Sequence, residues 1–186
     1  GGFALSPDFK TDLGFVRRTD ERRMFSNISY RWWPESWLIN WGPRLSYNRS
    51  YQFDGFLQEE DALAGVNLSF AKSINLFANV NRTMERFAGI DFYKTRYSFG
   101  GPVNTSRRIG FGVFFFTGDE IFFDPENPYM GRETKVSGFI ALRPFSRLQS
   151  QININPSRFT DPKHSEQEVF DTRLFRALTT YQFTDR

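Results

Sequence analysis

Apolar and polar residues alternate with a period of two along most of this sequence. Between Phe25 and Trp33, for example, Ile28, Tyr30 and Trp32 alternate with polar residues. Such alternation predicts β-strands with one apolar face, because successive side chains of a strand point to opposite sides of the sheet. No segment keeps apolar residues at helical spacing over three turns. The pattern therefore predicts an all-β protein.

We expect about nine strands within a single domain that covers residues 1–186, with residues 1–22 as a lead-in segment before the first clear strand. Proline, glycine and polar residues mark the turns between consecutive strands. Consecutive strands joined by turns favour an antiparallel up-and-down meander. The predicted strands are 25–33, 37–48, 66–70, 74–81, 93–99, 108–115, 136–143, 148–155 and 169–183.

The predicted connections alternate between short and long. Short turns follow the first, third, fifth and seventh strands, whereas residues 49–63, 82–91, 117–133 and 156–168 form long connections. Barrels of the bacterial outer membrane have short periplasmic turns and longer external loops. The alternation thus predicts a transmembrane β-barrel in the bacterial outer membrane, in contact with the lipid bilayer and with lipopolysaccharide.

Composition agrees with a barrel. Aromatic residues make up 18% of the chain and cysteine is absent, while a mean hydropathy of -0.51 shows that the chain is polar on average. The sequence has no apolar run near 18 residues, which excludes a transmembrane helix but not strands with a single apolar face. Four tryptophans near one turn are the predicted aromatic girdle at the membrane interface, although a tryptophan-rich hairpin in a soluble core remains an alternative. They are Trp32, Trp33, Trp37 and Trp41.

Seven basic residues fall on the polar face of the predicted strands, and the acidic residues fall mainly in the long connections. The predicted barrel lumen is therefore basic, so it would favour an anionic solute or hold a polar plug. The alternative is that these residues only pair with carboxylates on strands elsewhere in the barrel. The predicted lumen-lining residues are Arg31, Arg44, Lys94, Arg96, Arg108, Arg143 and Arg176.

Other chemistries are weaker in this sequence. His164, the only histidine, lies in a predicted loop where it could serve a hydrolase, although a surface role is the simpler interpretation. The acidic run Glu59–Asp61 and the 117–127 segment, which offers Asp119 and Glu120, read as solvated loops. We predict no catalytic site, metal site or cofactor. Aromatic residues alternate away from the charges, which disfavours a nucleic-acid partner.

The first 60 residues also carry a resemblance. The segment Asp12–Asp20, with Arg22 and Arg23, precedes a Tyr-Arg-Trp-Trp-Pro sequence at residues 30–34, and Trp-Gly-Pro at 41–43 and Asp-Gly-Phe-Leu-Gln at 54–58 follow. These segments resemble the C-terminal outer-membrane barrel of bacterial proteins that carry an N-terminal family 9 carbohydrate-binding-like module. The resemblance implies that such a module precedes Gly1 and that more strands follow Arg186.

An odd count of nine strands supports the expectation of a fragment, because single-chain bacterial barrels have even numbers. The function that we expect is to anchor a carbohydrate-binding-like module, and to pass a carbohydrate or an anionic solute through a polar, basic lumen. Two alternatives stay open: an outer-membrane hydrolase with its active site in the loops, and a soluble all-β carbohydrate-binding domain.

Overall fold

A computed structural model describes residues 1–10, 19–162 and 167–183 of the chain. These residues form one antiparallel sheet of ten strands, in which each strand pairs with its neighbours in the sequence. The all-β, up-and-down meander predicted from the alternation is confirmed. The strands are β1 Gly2–Leu5, β2 Glu21–Ser29, β3 Leu38–Tyr51, β4 Leu57–Phe70, β5 Ile74–Phe87, β6 Ile90–Val103, β7 Ile109–Phe122, β8 Tyr129–Phe145, β9 Leu148–Asp161 and β10 Gln167–Tyr181.

The strand count is ten rather than nine because the expected lead-in contains a strand. Gly2–Leu5 pairs with the beginning of β2, in a register that sets Leu5 opposite Glu21. Four residues are too few to show a period-two pattern, so the alternation missed β1. Because ten is an even number, the strand count no longer supports the expectation that the chain is a fragment of a barrel. In the described part of the chain β1 and β10 are not paired with each other, and the sheet is open.

The sheet has two faces and two ends, which we name here. Directly opposite residues of paired strands point to the same side; the registers therefore set one apolar face, which carries Leu45, Ala64 and Val80, against a polar face, which carries Arg44 and Asn79. The upper end of the sheet holds the connections 52–56, 88–89 and 123–128. The lower end holds 30–37, 71–73, 104–108 and 146–147.

The expected alternation of loop lengths is wrong. Residues 49–63, 82–91, 117–133 and 156–168 are largely strand, and the connections at the two ends have similar lengths. The apolar alternation ends there, but backbone pairing continues, because opposite charges face each other across the strands. Arg49 lies opposite Glu60, Asp119 opposite Arg132 and Arg158 opposite Asp171. Such cross-strand pairs support a ladder as apolar pairs do.

A single sheet gives the chain almost no dry interior. Only four hydrophobic residues in the described part are buried: Met84, Phe92, Ile121 and Phe159. The accessible surface is 13295 Å², whereas a globular protein of this mass exposes roughly 9,300 Å². The excess means that both faces of the sheet are open. In the described ranges no helix is both long and apolar enough to cross a membrane.

Candidate functional site

The lower part of the apolar face is an uninterrupted apolar surface, which we call the apolar band. On β3 it extends from Ile39 to Tyr47, about nine residues, which is close to the roughly 9–11 residues of a membrane-crossing strand. Large side chains of the band are exposed: Leu45 to 55%, Val113 to 54% and Ile154 to 51%. The band continues across the sheet through Val80, Phe99, Phe111, Ile140 and Phe175.

Above the apolar band the same face changes abruptly to charged residues, which we call the charged belt. Arg49 Nε lies 3.7 Å from Glu60 Oε1, and Arg173 Nη2 lies 3.1 Å from Asp171 Oδ2. Arg86 and Asp91 form a bidentate pair beside the 88–89 turn. The belt consists of Arg49, Glu60, Arg82, Arg86, Asp91, Asp119, Arg132, Arg158, Asp171 and Arg173.

The seven basic residues predicted to line a lumen all fall on the polar face, where four of them form two neighbouring pairs. Lys94 and Arg96 are adjacent on β6 and share a carboxylate partner. Arg108 and Arg143 lie side by side at the lower end, where the backbone of Arg143 donates to Arg108. Arg44 lies in the middle of the polar face, and Arg31 and Arg176 lie near its opposite edges.

Lys94 is the centre of an ion-pair network. Its side chain is 5% exposed, and its Nζ donates to Glu85 Oε2 at 2.6 Å and to Glu120 Oε1 at 3.1 Å. The other oxygen of Glu120 accepts from Arg96 Nη1 at 2.7 Å. The expectation that the acidic residues fall mainly in loops is therefore wrong. Glu85 and Glu120 lie on strands beyond the apolar band and pair with two of the predicted basic residues, Lys94 and Arg96.

The charge of Glu120 depends on this network. Burial raises the pKa of Glu120, but the nearby charge of Lys94, with hydrogen bonds from Lys94 and the Ile121 N–H, outweighs it and lowers the pKa below its ordinary value. Glu120 lies on β7 beyond the apolar band, which ends at Phe115. The carboxylate consequently stays ionised at neutral pH and holds both Lys94 and Arg96 in place.

Neutral polar pairs fill the polar face beside this network. Arg44 Nη2 donates to Asn79 Oδ1 at 2.9 Å, and Asn79 Nδ2 donates to Ser98 Oγ at 3.1 Å. Nearer the upper end, Thr83 Oγ1 donates to Asp61 Oδ2 at 2.9 Å. The polar face is thus organised by cross-strand hydrogen bonds rather than by free cations.

A cavity of about 380 Å³ opens on the polar face beside Gly118. Arg96, Glu133 and Lys135 line it, and Lys135 Nζ lies 2.8 Å from Glu133 Oε1. Asn81 also lines it, and Asn81 Oδ1 is a buried acceptor without a hydrogen-bond partner in the described part of the chain. Buried acceptors are rarely left unpaired. The cavity therefore suits a polar ligand that donates a hydrogen bond and carries hydroxyl or anionic groups.

The tryptophans cluster near the lower end, as the sequence indicated. Trp32 stacks on Trp41 with ring centroids 4.5 Å apart, and Trp37 stacks on Phe70 at 5.5 Å. Trp33 instead lies 5.7 Å from the guanidinium of Arg31. The cluster surrounds the 30–37 connection and borders the apolar band. Its role as a membrane girdle stays a prediction.

The other residues considered from the sequence do not form a reactive site in the described regions. His164 lies outside the described residues. Glu59–Asp61 belong to β4 and the Asp119–Glu120 pair to β7, so neither is the solvated loop we expected. Asp124 accepts hydrogen bonds from the backbone of Glu126 and Asn127. Within the described ranges no three acidic or histidine side chains are grouped to hold a metal ion.

Sequence reasoning missed the Lys94 network and the Gly118 cavity. The sequence does contain a signal for both features. The period-two alternation of three strands continues beyond their apolar residues, and it places Glu85, Asn81 and Glu133 on the polar face. Comparison with models of known protein families, with curated proteins and with solved structures gave no match at any of the three levels.

Proposed function

We propose that this chain forms part of the wall of a bacterial outer-membrane β-barrel, with its apolar band against lipid and its polar face towards a water-filled lumen. One observation carries the proposal: an exposed apolar band on one face is opposed by hydrogen-bonded polar residues on the other. Lumen-facing and lipid-facing residues alternate in this way along barrel strands. The charged belt above the band would lie at the membrane surface.

The energetics support a lipid-covered face. Large side chains of the apolar band are exposed, Ile140 to 46% and Phe175 to 65%, and a continuous exposed apolar surface is typical of a membrane or protein contact. The four hydrophobic residues that are buried in the described ranges make too small a core for a soluble carbohydrate-binding domain. Lipid would remove this apolar surface from water without a second protein layer.

The polar face supports passage or binding of a polar solute. The cavity above Gly118, with Arg96, Lys135 and the free Asn81 acceptor, offers donors and acceptors to a carbohydrate or to an anionic solute. Because Glu120 and Glu133 pair with the nearby cations, this face is mixed in charge rather than purely basic. The proposed selectivity is accordingly for hydroxyl-rich over strongly anionic solutes.

The hydrolase alternative depends on His164, which lies outside the described residues. The anchored carbohydrate-binding-like module rests on the sequence resemblance alone. Both stay predictions, and neither changes the architecture that we propose for residues 1–183.

The test is to fractionate cells that express the full-length protein and to run the outer-membrane fraction on an SDS gel with and without boiling. We expect the protein in that fraction, with a faster-migrating band in the unboiled sample, because closed barrels resist SDS until heated. A protein recovered in the soluble fraction, without a heat-dependent shift, would contradict the proposal.

A further inference from the structure

A groove of about 260 Å³ crosses the apolar face on β4. Its floor is formed by Ala62 and Ala64, whose small side chains lie between larger neighbours. Leu45 and Tyr47 on β3 form one wall, and Val80 and Arg82 on β5 form the other. The groove is apolar along its length and ends at the guanidinium of Arg82, which belongs to the charged belt.

Arg82 has no hydrogen-bond or ion-pair partner among the residues that the structure describes. Its direct neighbours in the ladder are Ala62 and Thr95, and neither carries a charge. The other arginine near this end, Arg49, lies 3.7 Å from Glu60, which also accepts the hydroxyl hydrogen bond of Tyr47. Arg82 is therefore the uncompensated positive charge at the end of the groove.

In the proposed barrel, the position of the groove along the strands places it in one leaflet of the membrane. Beyond the apolar band, the chain makes long excursions at the upper end, such as residues 48–61 between Tyr47 and Ala62, and only short ones at the lower end. Long excursions are external in outer-membrane barrels. The end of the groove at Arg82 then lies at the level of the outer-leaflet headgroups.

We propose that this groove binds lipid A, the phosphorylated and acylated anchor of lipopolysaccharide, with an acyl chain over Ala62 and Ala64 and a phosphate at Arg82. Arginine binds phosphate oxygens through two parallel charge-assisted hydrogen bonds. The apolar floor and the single free cation match a ligand that is apolar along its length and anionic at one end. This inference rests on the proposed barrel, because only a lipid-facing surface would meet lipid A.

The experiment is native mass spectrometry of the full-length protein in detergent, titrated with lipid A. We expect Arg82→Gln to weaken lipid A binding about tenfold, because the phosphate loses its charge-assisted hydrogen bonds to the guanidinium. Wild type should likewise bind dephosphorylated lipid A about tenfold more weakly. The matched control is Arg107→Gln, which removes the same charge from the exposed 104–108 connection at the lower end and should leave binding unchanged.

A second variant, Ala64→Phe, fills the groove without changing charge and should weaken binding several-fold. Gly138→Ala, in the second apolar depression of the same face, has room for its methyl group and should not. Equal binding by wild type, Arg82→Gln and Ala64→Phe in heat-modifiable protein would overturn this inference and leave the barrel intact. Displacement of lipid A by inorganic phosphate alone would also overturn it. Wild-type protein without a heat-dependent shift would remove the barrel itself, and the lipid site with it.

Discussion

At the residue scale, Lys94 is the side chain on which the polar face depends most. Its ammonium lies between two carboxylates with little access to water. Removing one partner of a buried ion pair leaves the others desolvated and uncompensated, which is more costly than losing an exposed pair. Because Lys94 is buried, its ion pairs should contribute more to stability than the exposed ion pairs of the charged belt.

Lys94→Met should lower the free energy of unfolding by about 3 kcal/mol, because Glu85 would lose its cationic partner and Arg96 alone would remain to offset the charge of Glu120. Urea unfolding in detergent micelles, followed by tryptophan fluorescence, measures the change. The control is Lys135→Met, whose side chain is 53% exposed beside Glu133 and should change stability by about 0.5 kcal/mol or less. Equal effects of the two substitutions would show that the Lys94 network contributes no more to stability than the exposed Lys135 ion pair.

The sequence identifies which residues face the polar side, but not their partners. The alternation of apolar and polar residues within each strand is sufficient to place Arg44, Lys94 and Arg176 on one face. It does not show that Glu120 lies beside Lys94, twenty-six residues away in the sequence, because that contact depends on the register between β6 and β7. That register depends on the apolar patterns of both strands and on the geometry of the turn between them, so the alternation within one strand does not reveal it.

At the element scale, glycines fix how closely strands approach at the lower end of β6. Gly101 has φ +156°, and a Cβ at this position would overlap the carbonyl oxygen of Asn75 on β5. Only a residue without a side chain allows this approach. Gly138 on β8 is different, since the nearest atoms to its Cβ would be about as far as ordinary contacts.

Gly101→Ala should lower the free energy of unfolding by about 2 kcal/mol or more, because the methyl group forces apart the backbone of β5 and β6. Gly138→Ala should change it by less than about 1 kcal/mol, since the methyl group makes only ordinary van der Waals contacts. Urea midpoints of the two variants, measured side by side, give the comparison. A neutral Gly101→Ala would mean that the β5–β6 pairing relaxes at no cost.

Strand ends were the least predictable elements. The apolar alternation located the middle of most strands, but β4, predicted at 66–70, begins at Leu57. The additional residues include Glu59, Glu60 and Asp61, which look like a loop when read alone. Their partners Ser50, Arg49 and Asn48 lie on β3, so long-range pairing, rather than local propensity, makes them strand.

At the scale of the whole molecule, the decisive question is what covers the apolar band. Ile140 lies in its centre and is 46% exposed, while the next residue, Ala141, lies on the polar face opposite Gly110 and Gln151. In the proposed barrel Ile140 faces lipid and Ala141 faces the lumen, although the two residues are adjacent in the chain. Substituting each in turn therefore tests lipid contact with a matched control.

Ile140→Arg should destabilise a lipid-embedded barrel by about 2–4 kcal/mol and reduce its amount in the outer membrane. Ala141→Arg should have a smaller effect, because this position lies on the polar face opposite Gly110 and Gln151. The heat-dependent fraction of each variant in isolated outer membranes is the measurement. In a water-exposed sheet both substitutions would be nearly neutral, so equal amounts of the two variants would count against lipid contact.

The strictly sequential order of the ten strands also affects how the chain reaches its folded state. Every hydrogen-bonded ladder joins consecutive strands, so each contact closes a loop no longer than one hairpin. Low mean sequence separation between contacts favours rapid folding, because little chain entropy is lost before a pair forms. The sheet can therefore grow one hairpin at a time, without waiting for distant parts of the chain to meet.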